Sequence, residues 1–137
     1  MESSEGHFSV TATRLPMVDM TFHGALGVDD YRRTLDALIR IFNAHPAPFI
    51  LLLDMREFNP LKITAAMRKQ AAEVWHDNRE LYLRVIVAEA RVLTNPLTRG
   101  ILTAFDWLTG TGKWPCRQFA TMPAAETWLR SKLASHR

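Results

Sequence analysis

Residues 49–54 read FILLLD, and this stretch decides the fold. Phe49 through Leu53 form a continuous apolar run, without the alternation of polar and apolar residues that a half-exposed strand shows. A run of this kind is typical of a strand that is covered on both faces in the middle of a sheet. The sequence therefore predicts a central strand at residues 49–53, followed by the polar Asp54.

Two alternating runs near the start of the chain predict a pair of antiparallel strands. In residues 7–15, and again in residues 18–23, apolar and polar residues alternate, as in strands with one face exposed to water. The segment Arg14-Leu15-Pro16 between them is short enough for a hairpin. We therefore expect these two strands to be neighbours in one sheet.

Two helices are predicted on either side of the central strand, because apolar residues there recur at three-and-four spacing. Asp29 or Asp30 is the expected N-cap of the first, which must end near Ala44 because Pro46 cannot donate a backbone hydrogen bond. The expected buried residues are Tyr31, Leu35, Leu38, Ile39 and Phe42 in the first helix, and Ile63, Met67, Ala71, Val74 and Trp75 in the second. The second helix is expected to turn Arg68, Lys69 and Glu73 away from the core.

The rest of the chain predicts two further strands, each followed by a helix. Residues 83–88 are rich in β-branched side chains and predict an inner strand, and residues 116–120 predict a last one. Asn95-Pro96 and Pro123 are helix start signals. The expected buried residues are Leu97, Ile101, Phe105 and Leu108 in the third helix, and Ala125, Trp128, Leu129 and Leu133 in the fourth.

These segments give the order ββαβαβαβα, which predicts an α/β fold with a mixed β-sheet of about five strands and about four helices. With 137 residues the chain has the size of one domain, which we place at residues 7–137, after a flexible tail at residues 1–6. The net charge of +3 is spread among interleaved acids and bases, which argues against nucleic-acid binding. No apolar run is long enough to span a membrane, and the single Cys116 is typical of a reducing compartment, so we expect a cytoplasmic protein.

Two stretches of the chain resemble the STAS domain, the fold of bacterial anti-sigma-factor antagonists and of the cytoplasmic tails of sulfate transporters. They are MVDMTFHGALGVDDYRRTLDALIR at residues 17–40 and FATMPAAETWLRSKL at residues 119–133. The resemblance implies a STAS-like α/β domain that acts by binding a protein partner.

The chain departs from the antagonist pattern at the point where that family is phosphorylated. An Asp-Ser-Ser-Gly stretch is usual there, and this chain has Lys62-Ile63-Thr64-Ala65 instead. Thr64 falls at the serine position, where a helix N-terminus could accommodate a phosphate. The alternative is that Thr64 is an ordinary helix cap. The resemblance therefore implies a divergent member that lacks the usual phosphorylatable serine.

Three features of the sequence suggest a catalytic or ligand-binding site, but the residues around them do not complete one. Gly110-Thr111-Gly112-Lys113 lacks the earlier glycine and the following Ser or Thr of a phosphate loop. His76, Asp77 and Glu80 have no second pair of ligands with which to complete a zinc site. We interpret Asp54 as a polar strand end bonded to loop amides. The sequence therefore predicts no metal, no cofactor and no enzyme activity.

The function expected from these observations is that of a non-catalytic bacterial regulatory or adaptor protein that binds a protein partner, with a homodimer as one form of such binding. The candidate contact surface combines the loop after the central strand, the next helix start and two tryptophans. Its residues are Arg56, Glu57, Asn59, Lys62, Thr64, Trp107 and Trp114. The alternative is a carrier of a lipid or another apolar ligand in the space between helices and sheet.

Overall fold

The computed structural model describes residues 7–25, 27–59, 63–109 and 114–136, except for the side chains of residues 104, 105 and 107–109. The predicted tail at residues 1–6 lies outside the described residues. The strands are β1 (His7–Arg14), β2 (Met17–His23), β3 (Phe49–Asp54), β4 (Ile86–Val92) and β5 (Cys116–Phe119). The helices are α1 (Val28–Ala44), α2 (Ala65–His76), α3 (Arg79–Val85), α4 (Pro96–Thr109) and α5 (Met122–Ser135).

The five strands form one mixed sheet in the order β1-β2-β3-β4-β5. β1 is antiparallel to β2, and the pairs β2–β3, β3–β4 and β4–β5 are parallel. β3 is the central strand, and its residues Phe49 to Leu53 are all buried. The structure thus confirms the predicted hairpin, the central strand and the mixed α/β architecture, with five helices where about four were expected.

The alternating side chains of β3 divide the interior into two cores. Phe49, Leu51 and Leu53 belong to the larger core, which also holds buried residues of α1, α2, α3 and α4. Ile50 and Leu52 belong to the smaller core, where they pack against Ala125 and Leu129 of α5. Among the described helices, α5 covers one face of the sheet, and the other four lie over the opposite face.

The predicted strand at residues 83–88 is wrong at its start. Residues 79–85 form α3, and β4 begins at Ile86 and continues to Val92. Val85 is β-branched and favours a strand, but the burial of Tyr82 and Val85 in the larger core stabilises the helix α3. The strand extends through Glu89 and Arg91 because these two buried charges pair with each other.

Two predicted helix details are also wrong, and each has a cause elsewhere in the fold. The N-cap of α1 is Gly27, and Asp30 instead accepts a hydrogen bond from the backbone N–H of Phe8 in the edge strand β1, at 2.6 Å. In α4, Leu97 is 49% exposed, although it was predicted to be buried.

The buried side of α4 carries Thr98 and Leu102. These residues share a face with Asp106 at four-residue spacing, and Asp106 binds Arg91 of the sheet. The face of α4 that meets the core and the sheet therefore includes Asp106, and Leu97 lies outside it.

Candidate functional site

A cavity of about 100 Å³ lies between the sheet and the helices that cover the larger core. Its walls are mainly apolar and include Leu51 and Leu53 from β3, Leu38 from α1 and Trp75 from α2. Most of the lining residues belong to the buried core. Protein interiors contain few voids larger than a water molecule, so an apolar cavity of this size is a candidate ligand site.

Aromatic rings form much of the cavity wall. The ring centroids of Phe8 and Phe22 lie 4.7 Å apart in an edge-to-face arrangement. The ring of Trp75 is tilted against those of Tyr82 and Trp114, with centroid distances of 5.5 Å and 6.2 Å. Such ring pairs contribute about 0.5–1.5 kcal/mol each beyond the area that they bury.

One end of the cavity contains a buried ion pair. The Nε of Arg91 donates to a carboxylate oxygen of Glu89 at 2.6 Å, and its two terminal nitrogens donate to Asp106 at 2.9 and 2.8 Å. The indole Nε1–H of Trp114 donates to the other oxygen of Glu89 at 3.0 Å. The Arg91 and Glu89 side chains are 5% and 7% exposed, whereas that of Asp106 is 33% exposed. Burial alone would lower the pKa of Arg91, but Glu89 and Asp106 outweigh it and raise that pKa, so Arg91 stays charged.

Two tyrosines complete the polar part of the cavity wall. Burial raises the pKa of Tyr31 and that of Tyr82, so both phenols remain neutral at physiological pH. Tyr82 is 1% exposed, and its hydroxyl has no hydrogen-bond partner within the described part of the chain. Leaving such a group unpaired costs about 1–3 kcal/mol.

Replacing Tyr82 with Phe is therefore expected to raise the free energy of unfolding by about 1 kcal/mol, because it removes the unpaired hydroxyl and keeps the ring. Urea denaturation followed by circular dichroism measures the change. A loss of stability greater than about 1 kcal/mol would instead show that the hydroxyl makes a stabilising hydrogen bond.

The cavity reaches the surface between the start of α2 and α4. Of its described lining residues, four are partly exposed and the others are buried; the four are Ile63, Arg68, Ile101 and Trp114. We call this group the cavity mouth. Arg68 was predicted to face away from the core, but the structure places it in the cavity wall. A partly exposed arginine at the edge of a core can cover apolar surface with its aliphatic stem while its charged group stays in water.

The loop after β3, predicted as a contact surface, is held against the end of β2. The backbone N–H of Gly24 donates to the Glu57 carbonyl at 2.9 Å, and the N–H of Asn59 donates to the Gly24 carbonyl at 2.7 Å. Gly24 has a φ of 80°, a conformation that favours glycine. The structure thus brings Arg56, Glu57 and Asn59 together at the carboxyl edge of the parallel strands, whereas Lys62 lies outside the described residues.

Asp54 ends β3 in the predicted manner, as a polar residue bonded to the loop. Its carboxylate accepts from the Arg56 backbone N–H at 3.2 Å and from the Arg56 guanidinium at 2.9 and 2.8 Å. These bonds lower the pKa of Asp54. The arrangement accounts for the strand end without a chemical role for Asp54.

Replacing Arg56 with Gln is expected to raise the pKa of Asp54 toward its ordinary value, because the guanidinium stabilises the charged carboxylate. The folded-state pKa is depressed, so the pair adds stability above the ordinary pKa of 3.8 and loses it as the pH falls lower. The Arg56 side chain is 48% exposed and that of Asp54 is 21% exposed, so solvent screens the pair and we expect it to contribute less than about 1 kcal/mol. Carboxyl ¹³C NMR titration measures the pKa, and an unchanged value in the variant would contradict the assignment.

Thr64 serves as a helix cap, one of its two predicted roles. Its hydroxyl accepts from the Met67 backbone N–H at 3.1 Å, at the first turn of α2. A phosphate on Thr64 would replace this bond, and phosphorylation remains a prediction.

Of the two tryptophans in the predicted second patch, the structure describes the side chain of Trp114 and not that of Trp107. Trp114, a predicted contact residue, is partly exposed and lies in the cavity wall, where Glu89 accepts its N–H. The side chain of Trp107 lies outside the described set, as do residues 110–113 with the glycine-rich stretch. Cys116 is exposed.

Neither a metal site nor a membrane span is present among the described residues. No group of three or more His, Cys, Asp or Glu side chains among them is arranged to hold a metal ion. No helix in this part of the chain combines the length and apolar character that crossing a membrane requires.

Comparison with known proteins identifies the fold. No protein-family model matches the chain, and no curated protein matches its sequence. Among solved structures, the chain is similar to an uncharacterized protein of the DUF3478 family with a SpoIIAA-like fold from Shewanella loihica PV-4. The TM-score is 0.68 and the identity is 15%, and the match covers 94% of this chain and 98% of that one. A SpoIIAA-like fold is a STAS-like fold, so the comparison confirms the predicted architecture and shows the fold alone.

Proposed function

We propose that this STAS-like protein is a non-catalytic binding protein that holds a small apolar molecule in its cavity. The observation that supports this proposal is the cavity itself, which is about 100 Å³ in volume and lined mainly by buried apolar side chains. A ligand that fills this space would stabilise the protein, because it binds the folded state and not the unfolded one.

The polar residues of the cavity wall support binding rather than catalysis. Glu89 is engaged by Arg91 and Trp114, and Arg91 is held by two carboxylates. Burial raises the pKa of Tyr31 and that of Tyr82, so neither phenol is an effective base at neutral pH. The described wall therefore offers no activated nucleophile or poised base.

The methionines allow a site-specific test of ligand binding. Met20 and Met55 line the cavity, whereas Met17 lies in the smaller core on the other face of the sheet. Titration with 1-hexanol should shift the methyl NMR signals of Met20 and Met55 and leave that of Met17 unchanged. If millimolar concentrations of 1-hexanol, hexanoate and hexylamine all leave the Met20 and Met55 signals unmoved, the proposal is wrong.

Native mass spectrometry of the protein isolated from cells provides an independent test. A bound mass that is lost on denaturation supports the proposal. Removal of that mass should also lower the thermal unfolding temperature, because a ligand stabilises the folded state that binds it.

A second candidate function is regulation through a protein partner, which the predicted contact surface supports. The observation that favours it is the stiff loop after β3, where Arg56 and Glu57 are exposed on a backbone bonded to Gly24. A rigid loop can present charged groups with little loss of entropy on binding.

This second candidate is tested by charge reversal. Arg56→Glu should release a partner that co-purifies with the protein, and sedimentation at several concentrations shows whether that partner is a second copy. Arg40, an exposed residue near the far end of α1, provides the matched control Arg40→Glu. Equal retention of the partner by both variants would exclude the loop as the contact surface.

A further inference from the structure

We propose that the molecule held in the cavity is a small apolar carboxylate whose charged group pairs with Arg68 at the cavity mouth. This inference rests on the proposed function and specifies the chemical class of the ligand. Its basis is the distribution of charge around the cavity, together with the orientation of α2.

Arg68 is a partly exposed cation in the cavity wall that has no ion pair among the described residues. The arginines that do form ion pairs there are Arg14, Arg33, Arg56 and Arg91. A guanidinium is charged at every physiological pH, and its planar N–H groups match the two oxygens of a carboxylate. Arg68 can therefore provide a bidentate contact to an anion that enters the mouth.

The other charges in the described wall cancel each other. Glu89 and Arg91 form a buried pair at 2.6 Å. Asp106 binds Arg91 but is not part of the described cavity lining, and a third of its side chain is exposed to solvent. Arg91 is thus neutralised by its carboxylate partners, and Arg68 is the charged side chain of the described wall that has no ion-pair partner among the described residues. An anionic group is attracted to Arg68, and an ammonium group is repelled.

The start of α2 adds a second source of positive potential. This helix has 12 residues and begins at Ala65, and Arg68 lies in its first turns. Its first turn contains no acidic residue that would neutralise the partial positive charge of the exposed N–H groups. The helix dipole and Arg68 therefore both favour an anion at the mouth.

The volume of the cavity limits the size of the apolar part of the ligand. A volume of about 100 Å³ is smaller than the roughly 150 Å³ of an engineered cavity that holds benzene. A chain of about five carbons or one small ring fits such a space. The carboxylate would remain at the partly exposed mouth, where it keeps contact with water and avoids the cost of full burial.

The experiment compares three probes of six carbons each: hexanoate, 1-hexanol and hexylamine. Binding is measured by calorimetry and by the methyl signals of Met20 and Met55, which line the cavity. The wild-type protein should bind hexanoate about tenfold more tightly than 1-hexanol, and hexylamine least tightly. In Arg68→Gln the preference for hexanoate over 1-hexanol should disappear, while the affinity for 1-hexanol is retained.

The neighbouring cation Lys69 provides the control. It is exposed and does not line the cavity, so Lys69→Gln removes the same charge while leaving the mouth intact. This variant should keep the preference for hexanoate, and circular dichroism verifies that both variants are folded. Equal wild-type affinities for hexanoate and 1-hexanol, or a preference that survives Arg68→Gln, would overturn the inference while the proposed function stands. Failure of all three probes at Met20 and Met55 would overturn both.

Discussion

Replacement of Arg91 with Leu is expected to lower the free energy of unfolding by about 3–5 kcal/mol. The variant leaves the Glu89 carboxylate without its cation in a position where the side chain is only 7% exposed. Asp106 contributes less to the loss because a third of its side chain reaches solvent. Small domains are stable by only about 5–15 kcal/mol, so the variant should unfold at a much lower urea concentration than the wild type.

A double replacement separates the cost of an unpaired charge from the value of the pair. Glu89→Leu combined with Arg91→Leu removes both buried charges, and Asp106 can turn toward water. We expect the double variant to be more stable than Arg91→Leu alone, because uncharged side chains avoid the desolvation cost of a lone ion. Urea denaturation of both variants gives the comparison. A double variant less stable than the single one would show that Glu89 is stabilised by other groups.

The fold was predictable where local sequence signals agreed with the tertiary structure. The apolar run at residues 49–53 allowed only a strand buried on both faces, and the structure has it as the central strand. Asn95-Pro96 marked a helix start, where the Asn95 side chain accepts from the Leu97 backbone N–H at 2.9 Å. These features depend on residues close together in sequence, which is why one sequence was enough to find them.

The predictions failed where contacts between distant residues decided the outcome. The β-branched residues 85–87 predicted one strand, but burial of Tyr82 in the larger core stabilises a helix up to Val85. The apolar stripe of α4 predicted that Leu97 is buried, but the buried side of the helix carries Thr98 and Leu102, in line with Asp106, which binds Arg91. Such long-range contacts leave no periodic signal in the chain.

The cavity could not be predicted, because a void depends on how side chains pack against one another. One part of it did leave a signal in the sequence. Glu89 and Arg91 are opposite charges two residues apart in an otherwise apolar segment, which places them on the same face of a strand. That pattern indicates a buried ion pair. Arg68 gave no such signal, because arginines on exposed helix faces have the same spacing.

Matched replacements in the central strand test whether the two faces of the sheet are packed differently. Leu52 is 1% exposed and packs in the smaller core under α5, so Leu52→Ala is expected to lower the free energy of unfolding by about 3–5 kcal/mol. Leu53 is 9% exposed and lines the cavity, so we expect fewer atoms of the chain to contact its side chain. Leu53→Ala should therefore cost about 1 kcal/mol less than Leu52→Ala.

The difference in stability between these two variants tests the cavity directly, because both substitutions remove the same side-chain atoms from adjacent residues of one strand. Urea denaturation with a shared slope for wild type and variants measures it. If Leu53→Ala destabilises the protein as much as Leu52→Ala, the helices pack against β3 on the Leu53 side as closely as α5 does on the other. The space for a ligand would then be absent in solution, and the proposed function would lose the observation that carries it. A smaller cost at Leu53 requires a face of the sheet that is incompletely filled by the chain itself.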